Sequence, residues 1–267
     1  MSFPLELRGL AVARGGRTVL EDIALTVEPG EVAGLVGANG SGKTTLIRAA
    51  LGLSKAKRGE ARLFGRPVRG LGAEERASLV AYLPQERRVG WNLPAWRIAA
   101  LGAPRLSANR ARGAALEALS RVGVSPLAER GILDMSGGER ARVLIARLLA
   151  ASSPLILADE PTAGLDPDAQ LLVMEILREE ARRGAAVVAS LHDLALGARA
   201  CDRLVVLKQG RILAAAAPAQ ALSRQTLREG FGLEGSLIET AAGPVLAARR
   251  AGEETELRSR LRVAPNE

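Results

Sequence analysis

Apolar and polar positions along this chain fall into short alternating runs and longer helical stripes. β-like runs at Leu5 to Val12 and Ala24 to Val27 lead through the turn Glu28-Pro29-Gly30 to the apolar segment Val32 to Val36, which reads as a buried strand. A glycine-rich loop follows at once. The pattern then predicts a helix over Lys43 to Leu53 and strands over Glu60 to Phe64 and Val80 to Leu83. From Leu93 to Ala150 it is mostly helical, with breaks at Pro104, Gly123 and Pro126, and predicts a helical lobe. Strands return at Leu155 to Ala158, Ala185 to Leu191 and Arg203 to Leu207, separated by one long helix and one shorter one. The long helix is well punctuated: Asp166 at the N-cap, Pro167 at the first helical position, Arg182 and Arg183 in the last turn, Gly184 just beyond. Its core-facing stripe is Leu172, Val173, Ile176 and Leu177. Strands alternating with helices predict an α/β fold with a mostly parallel sheet covered on both faces.

Composition narrows the picture. The chain has 267 residues, 48% of them hydrophobic, enough for a substantial core. Its longest apolar runs, such as Leu155 to Ala158 and the Pro-broken Ile212 to Ala219, fall far short of the ~20 residues that span a bilayer. Met1 to Leu10 carries Glu6 and Arg8 and does not read as a secretory signal. The single cysteine, Cys201, has no intrachain partner and reads as a small buried hydrophobe, which fits a reducing cytosol.

The net charge of +8 raises the question of nucleic acid or an anionic membrane surface. Yet only Lys43, Lys55, Lys57 and Lys208 are lysines among 37 basic residues, and the arginines are scattered. The aromatic residues are Phe3, Phe64, Tyr82, Trp91, Trp96 and Phe231, too few for base-stacking platforms. No nucleic-acid partner is expected; the excess of arginine fits either compositional bias or contact with an anionic lipid surface, and the sequence does not choose between them.

The candidate chemistry begins at Gly37-Ala38-Asn39-Gly40-Ser41-Gly42-Lys43-Thr44, a G-x-x-x-x-G-K-[ST] match between a predicted strand and a predicted helix. Such a loop wraps backbone N–H groups inward and adds the positive end of the following helix, so it suits a polyphosphate. Lys43 suits the β- and γ-phosphates and Thr44 a Mg²⁺ ion, with Thr45 next in the helix. The strand at Leu155 to Ala158 ends in Asp159-Glu160, at the sheet edge where open α/β folds bind ligands. Asp159 suits the metal, and Glu160 a base for attacking water. By itself such a pair equally well caps a following element. Ser136-Gly137-Gly138-Glu139 opens a helix as a capping box, but its two glycines, costing roughly 1 kcal/mol each against alanine, argue for a second anion-binding helix end.

Taken together, these segments resemble the ATP-binding subunit of an ABC transporter over Leu5 to about Leu233. Gly37 to Thr44 is similar to the Walker A loop, Gln85 to the Q-loop, Met135 to Glu139 to the ABC signature and Leu155 to Glu160 to Walker B. Ala163-Gly164-Leu165-Asp166 resembles the D-loop and His192 the switch histidine. Met135 and Glu139 stand where the usual signature has leucine and glutamine. No ring stands near Ala13 and Arg14, where family members usually stack an aromatic on adenine; Arg14 could stack by its guanidinium plane, with GTP then competing with ATP.

The resemblance implies a P-loop ATPase core over residues 1–233, with a small N-terminal antiparallel β subdomain and a helical subdomain inserted at about 88–150. Residues 234–267 form an extension: an extra hairpin around Gly243-Pro244, then a charged tail from Arg249 to Glu267 that frays. It further implies a homodimer that closes on two ATP, the loop of one copy facing Ser136 to Gly138 of the other. Gln85 would contact Mg²⁺ or water, and His192 the γ-phosphate. Implied partners are integral-membrane permease subunits and, indirectly, a periplasmic binding protein, at the cytoplasmic face of the inner membrane. The runs Tyr82 to Gln85, Ala100-Leu101-Gly102, Leu191 to Leu194, Cys201-Asp202-Arg203 and Gly210-Arg211 are similar to importers of iron-siderophores, haem and cobalamin. The alternative is a soluble ABC ATPase acting on DNA or ribosomes; its usual coiled-coil insertions, zinc motifs and paired ATPase units are not visible in the sequence.

Overall fold

The computed structural model describes residues 2–86 and 89–252; the start of the expected helical insertion at residue 88 and the tail 253–267 lie outside the described residues. Along the chain, β1 (Leu5–Arg14) and β2 (Arg17–Val27) form a hairpin, and β3 (Val32–Val36) leads into α1 (Lys43–Ala50). β4 (Ala56–Leu63) and the short β5 (Arg66–Pro67) join the hairpin in a four-stranded sheet of order β2-β1-β4-β5, all antiparallel. α2 (Ala73–Leu79) precedes β6 (Val80–Leu83). Three helices follow, α3 (Ala95–Ala100), α4 (Ala108–Arg121) and α5 (Gly137–Ala150). Then come β7 (Leu155–Asp159), α6 (Pro167–Arg182), β8 (Ala186–Ser190), α7 (Leu194–Ala200), β9 (Arg203–Lys208) and β10 (Arg211–Ala216). The described chain ends in α8 (Pro218–Ala221), α9 (Arg224–Phe231) and a hairpin of β11 (Leu233–Ile238) and β12 (Val245–Arg250).

The central sheet runs β10-β9-β3-β8-β7-β6, parallel throughout except for β10 at its edge. Its inner strands are apolar on both faces because both faces are covered. Period-two alternation divides each strand between two cores. Ala33, Leu35, Leu155, Leu157, Val188 and Val205 pack toward the antiparallel sheet and α1. Val32, Val36, Ile156, Ala158, Val187 and Val206 pack toward α5, α6 and α7. Leu157 is fully buried, so Leu157→Ala should cost about 2–5 kcal/mol. Gly34 has no side chain for a steric reason: a Cβ there would lie 2.7 Å from both Cys201 Sγ and Leu204 Cδ2. Cys201 is buried as expected, and that burial pushes its thiol up to about 12.

Several boundaries differ from the sequence pattern. α1 stops at Ala50 because Gly52 turns left-handed at φ 72°. The β2 strand begins at Arg17 rather than Ala24; its polar start pairs with β1 through a run of register shifts that hides the alternation. In α6, Asp166 Oδ1 accepts from the Ala169 N–H at 2.8 Å and Gly184 follows at φ 101°, as the punctuation predicts. Its buried stripe, however, is Ala169, Val173, Met174, Ile176, Leu177 and Ala181, with Leu172 half-buried at the margin. Between Leu93 and Ala150, the helical elements within residues 122–136 are two 3-10 turns, Ser125–Leu127, with Pro126 in its first turn, and Ile132–Asp134. α4 is tied to α6 by Arg121, whose guanidinium meets Glu179 at 3.1 Å and Glu180 at 2.7 Å. Arg249 and Arg250 belong to β12, paired with Glu234 and Leu233, and not to a frayed end. Among the described residues, no helix is long and apolar enough to cross a membrane.

Candidate active site

Four neighbouring parallel strands deliver their carboxyl ends to one edge, and the chemistry sits just beyond them. β3 opens into Gly37, β6 into Gln85, β7 ends in Asp159 and is followed by Glu160, and β8 is followed by His192. They surround a cleft of about 570 Å³ lined by Val19, Asn39, Gly40, Ser41, Gly42, Lys43, Thr44, Thr45, Gln85, Glu160 and His192.

The loop depends on two glycines. Gly37 has φ 153°, and a Cβ there would lie 2.3 Å from the Leu207 carbonyl oxygen. Gly42 has φ 110°, and a Cβ would lie 2.7 Å from Leu20 Cδ2. Gly42 is also the N-cap of α1 and makes no side-chain cap, so the first N–H groups of that helix have no capping side-chain oxygen from it. Lys43 folds over the loop: its Nζ donates to Gly37 O at 2.7 Å and Ala38 O at 3.3 Å. Burial lowers the Lys43 pKa from its ordinary value, while the charges of Glu160 and Asp159 pull the other way. Asp159, wholly buried, also adds to the burial that raises the pKa of Tyr82.

Glu160 is the hub. Its Oε1 accepts from Gln85 Nε2 at 2.8 Å and lies 2.6 Å from His192 Nε2. The Thr44 hydroxyl donates to Gln85 Oε1 at 3.5 Å, completing a chain from the loop to the carboxylate. Glu160 sits at φ 53°, a left-handed conformation that costs a non-glycine residue of order 1–3 kcal/mol. Two buried polar atoms here, Ser41 Oγ and Asp159 Oδ2, have no hydrogen-bond partner among the described residues. Each such orphan costs about 1–3 kcal/mol, which a bound ligand that satisfies it would recover.

The remaining residues singled out in the sequence lie elsewhere. Ser136 to Glu139 is not part of the cleft lining; there the capping box is complete, with Glu139 N–H donating to Ser136 Oγ at 3.2 Å and Ser136 N–H to Glu139 Oε2 at 2.8 Å. The second of these bonds holds the Glu139 carboxyl below its ordinary pKa. Asp166 is occupied as the N-cap of α6, and Arg14 faces Arg17 across the β1–β2 turn, outside the lining. Sequence reasoning missed Val19 and Ser190. Val19 lines the cleft because β2 is held over the loop by Glu21 N–H donating to Gly210 O and Gly210 N–H to Ser41 O. Ser190 ends β8, where its hydroxyl meets both carboxylate residues.

A glycine loop at the end of a buried parallel strand, a helix start with no side-chain cap, and carboxylates at the end of β7, separated from β3 by β8, define a P-loop nucleotide-binding fold. Comparison with known proteins completes the assignment. The chain belongs to the ABC transporter family, whose sequence pattern matches residues 20–163, and it is an ATPase. It is 42% identical over 252 residues to the hemin import ATP-binding protein HmuV of Myxococcus xanthus (strain DK1622), covering 90% of this chain and 94% of that one. It is 37% identical over 232 residues to the cobalamin import ATP-binding protein BtuD of Halobacterium salinarum (strain ATCC 29341 / DSM 671 / R1), covering 85% and 58%. Among solved structures, the ATP-binding cassette MJ0796, a dimer in a post-hydrolysis state bound to ADP and Pi, matches with TM-score 0.73 at 26% identity, covering 80% and 98%.

Proposed function

We propose that this chain is the ATP-hydrolysing subunit of a bacterial ABC importer for an iron-siderophore, haem or cobalamin. The names of its relatives, hemin and cobalamin import proteins, support the cargo class, and the cargo itself is recognised by other subunits. The observation that carries the hydrolytic reading is the Gln85–Glu160–His192 cluster facing Lys43 and Thr44 across one cleft.

In this reading the loop N–H groups from Gly37 to Thr45 and Lys43 Nζ bind the β- and γ-phosphates, Lys43 exchanging its carbonyl partners for phosphate oxygens. The residues present also fit Mg²⁺ by their chemistry: Asp159 Oδ2 is a buried carboxylate oxygen without a hydrogen-bond partner, and Thr44 and Gln85, which line the cleft, offer neutral oxygens. The ion would be held by Thr44, Asp159 and Gln85 and would neutralise phosphate charge. Glu160 takes a proton from the attacking water as its oxygen bonds to the γ-phosphorus and the bond to ADP breaks. His192 turns Nε2–H from Glu160 to a γ-phosphate oxygen.

One chain does not complete this site. Ser136, Gly137 and Gly138 lie outside the cleft, so the second set of N–H donors comes from another copy in a homodimer closed on two ATP. Closure moves the helices between 89 and 150, and with them the integral-membrane permease subunits on which the dimer sits at the cytoplasmic face of the inner membrane; a periplasmic binding protein supplies cargo. The test is light scattering on the Glu160→Gln variant: with ATP its mass should double and without ATP it should not. A variant that remains monomeric at saturating ATP overturns the dimer. Co-purification of the tagged chain with a many-span permease is expected; association with nucleic acid or ribosomes instead would favour the soluble alternative.

A further inference from the structure

β8 reads Ala186-Val187-Val188-Ala189-Ser190, five wholly buried residues of which only the last is polar. Nothing in the packing of a strand covered on both faces asks for a hydroxyl there. Its partners show what it does. Ser190 Oγ accepts the Glu160 backbone N–H at 2.8 Å and lies 2.6 Å from Asp159 Oδ1. A backbone N–H can only donate, so the hydroxyl proton is left for Asp159, and the direction of both bonds is determined. The two strands stand in register here, Asp159 opposite Ser190. One carboxylate oxygen of Asp159 is thereby engaged and the other, Oδ2, is left buried without a partner. The same hydroxyl anchors the peptide of Glu160 in its left-handed conformation at φ 53°, from which the side chain reaches Gln85 and His192.

We infer that Ser190 is a positioning residue for hydrolysis: it ties the Asp159 carboxylate and the Glu160 backbone into one unit, aiming Asp159 Oδ2 at a divalent cation and Glu160 at the attacking water. Ser190 touches neither nucleotide nor water itself. The inference rests on the roles proposed above for Asp159 and Glu160.

The test uses the full chain carrying Ser190→Ala and Ser190→Thr, with three readouts: steady-state ATP turnover against Mg²⁺ concentration, affinity for a fluorescent ATP analogue with Mg²⁺ and with EDTA, and thermal midpoint. In Ser190→Ala, turnover should fall and half-saturating Mg²⁺ should rise, each by about 10- to 100-fold, the usual effect of removing a residue that orients a metal ligand. Affinity for the analogue should weaken with Mg²⁺ and stay unchanged in EDTA. Ser190→Thr, which keeps the hydroxyl, should restore all of these to within a few-fold. A purely structural serine would lower the thermal midpoint and move both affinities together or neither, and that result overturns the inference. If Ser190→Ala does not fold, Ser190→Cys, with its weaker donor, carries the same comparison, and an unchanged Mg²⁺ dependence in it is equally fatal. Failure of the underlying reading is separable, because Glu160→Gln would then hydrolyse ATP normally; loss of activity in Glu160→Gln with wild-type Mg²⁺ dependence in Ser190→Ala refutes Ser190 alone.

Discussion

Two helix starts in this chain carry glycines and look alike in sequence, yet they are built to opposite ends. At α1 the N-cap is Gly42, no side chain caps the first turn, and the surrounding loop holds a folded-back lysine and one orphaned polar atom, Ser41 Oγ. At α5 the Ser136–Glu139 capping box closes on itself. The first has no side-chain cap and, in the function proposed above, binds phosphate within its own protomer; the second is capped as it stands and, in the same proposal, meets phosphate carried by another copy.

The comparison can be broken most decisively at Glu160. Glu160→Gln should slow hydrolysis by ~10²–10⁴-fold, the scale of a general base, with nucleotide affinity retained in a binding titration. Next comes Lys43→Ala, which removes a charge-assisted contact of about 1.5–3 kcal/mol and should weaken ATP binding roughly 10- to 100-fold by calorimetry. An unaltered affinity would mean that the α1 end is not the primary site. Ser136→Ala should cost about 1 kcal/mol of stability in urea unfolding while leaving nucleotide affinity of the isolated protomer alone. Its companion Glu139 has a depressed pKa when folded. Its contribution is therefore complete above the ordinary carboxylate value and lost as pH falls through the folded one, and Glu139→Gln should flatten that acid limb, whereas Ser136→Ala, which keeps the backbone N–H donor, should leave most of it. The smallest effect is expected at Arg14: a guanidinium stacked on a base is worth ~0.5–1 kcal/mol, so Arg14→Ala should raise KM for ATP and GTP alike by only a few-fold. A change confined to one nucleotide would assign Arg14 a more selective role.

What was legible in the sequence follows from how local its cause is. β3, β7 and the two ends of α6 stood out because double-sided burial yields unbroken apolar runs and because Asp166, Pro167 and Gly184 act on their own neighbours. The loop Gly37 to Thr44 was legible for the same reason. α2, which buries none of its residues, the two-residue β5, and β10, half-buried on an edge, leave no clear period to read. Val19 and Ser190 were hidden for a different reason. Val19 reaches the cleft only through bonds between β2 and Gly210, and Ser190 meets Asp159 across 31 residues of chain. Neither residue type is unusual for a strand, so no signal short of the folded sheet distinguishes them. Arg14 shows the reverse: a position picked out by resemblance lies outside the cleft lining, at the tip of a hairpin.

Cys201 is the chain's sole thiol and rests on Gly34, beneath the strand that feeds the phosphate loop. Alkylating reagents can reach it only when that part of the interior parts from itself. Native protein therefore carries its own chemical stopwatch, and the slowing of labelling by added nucleotide would report how firmly the loop clamps the sheet below it.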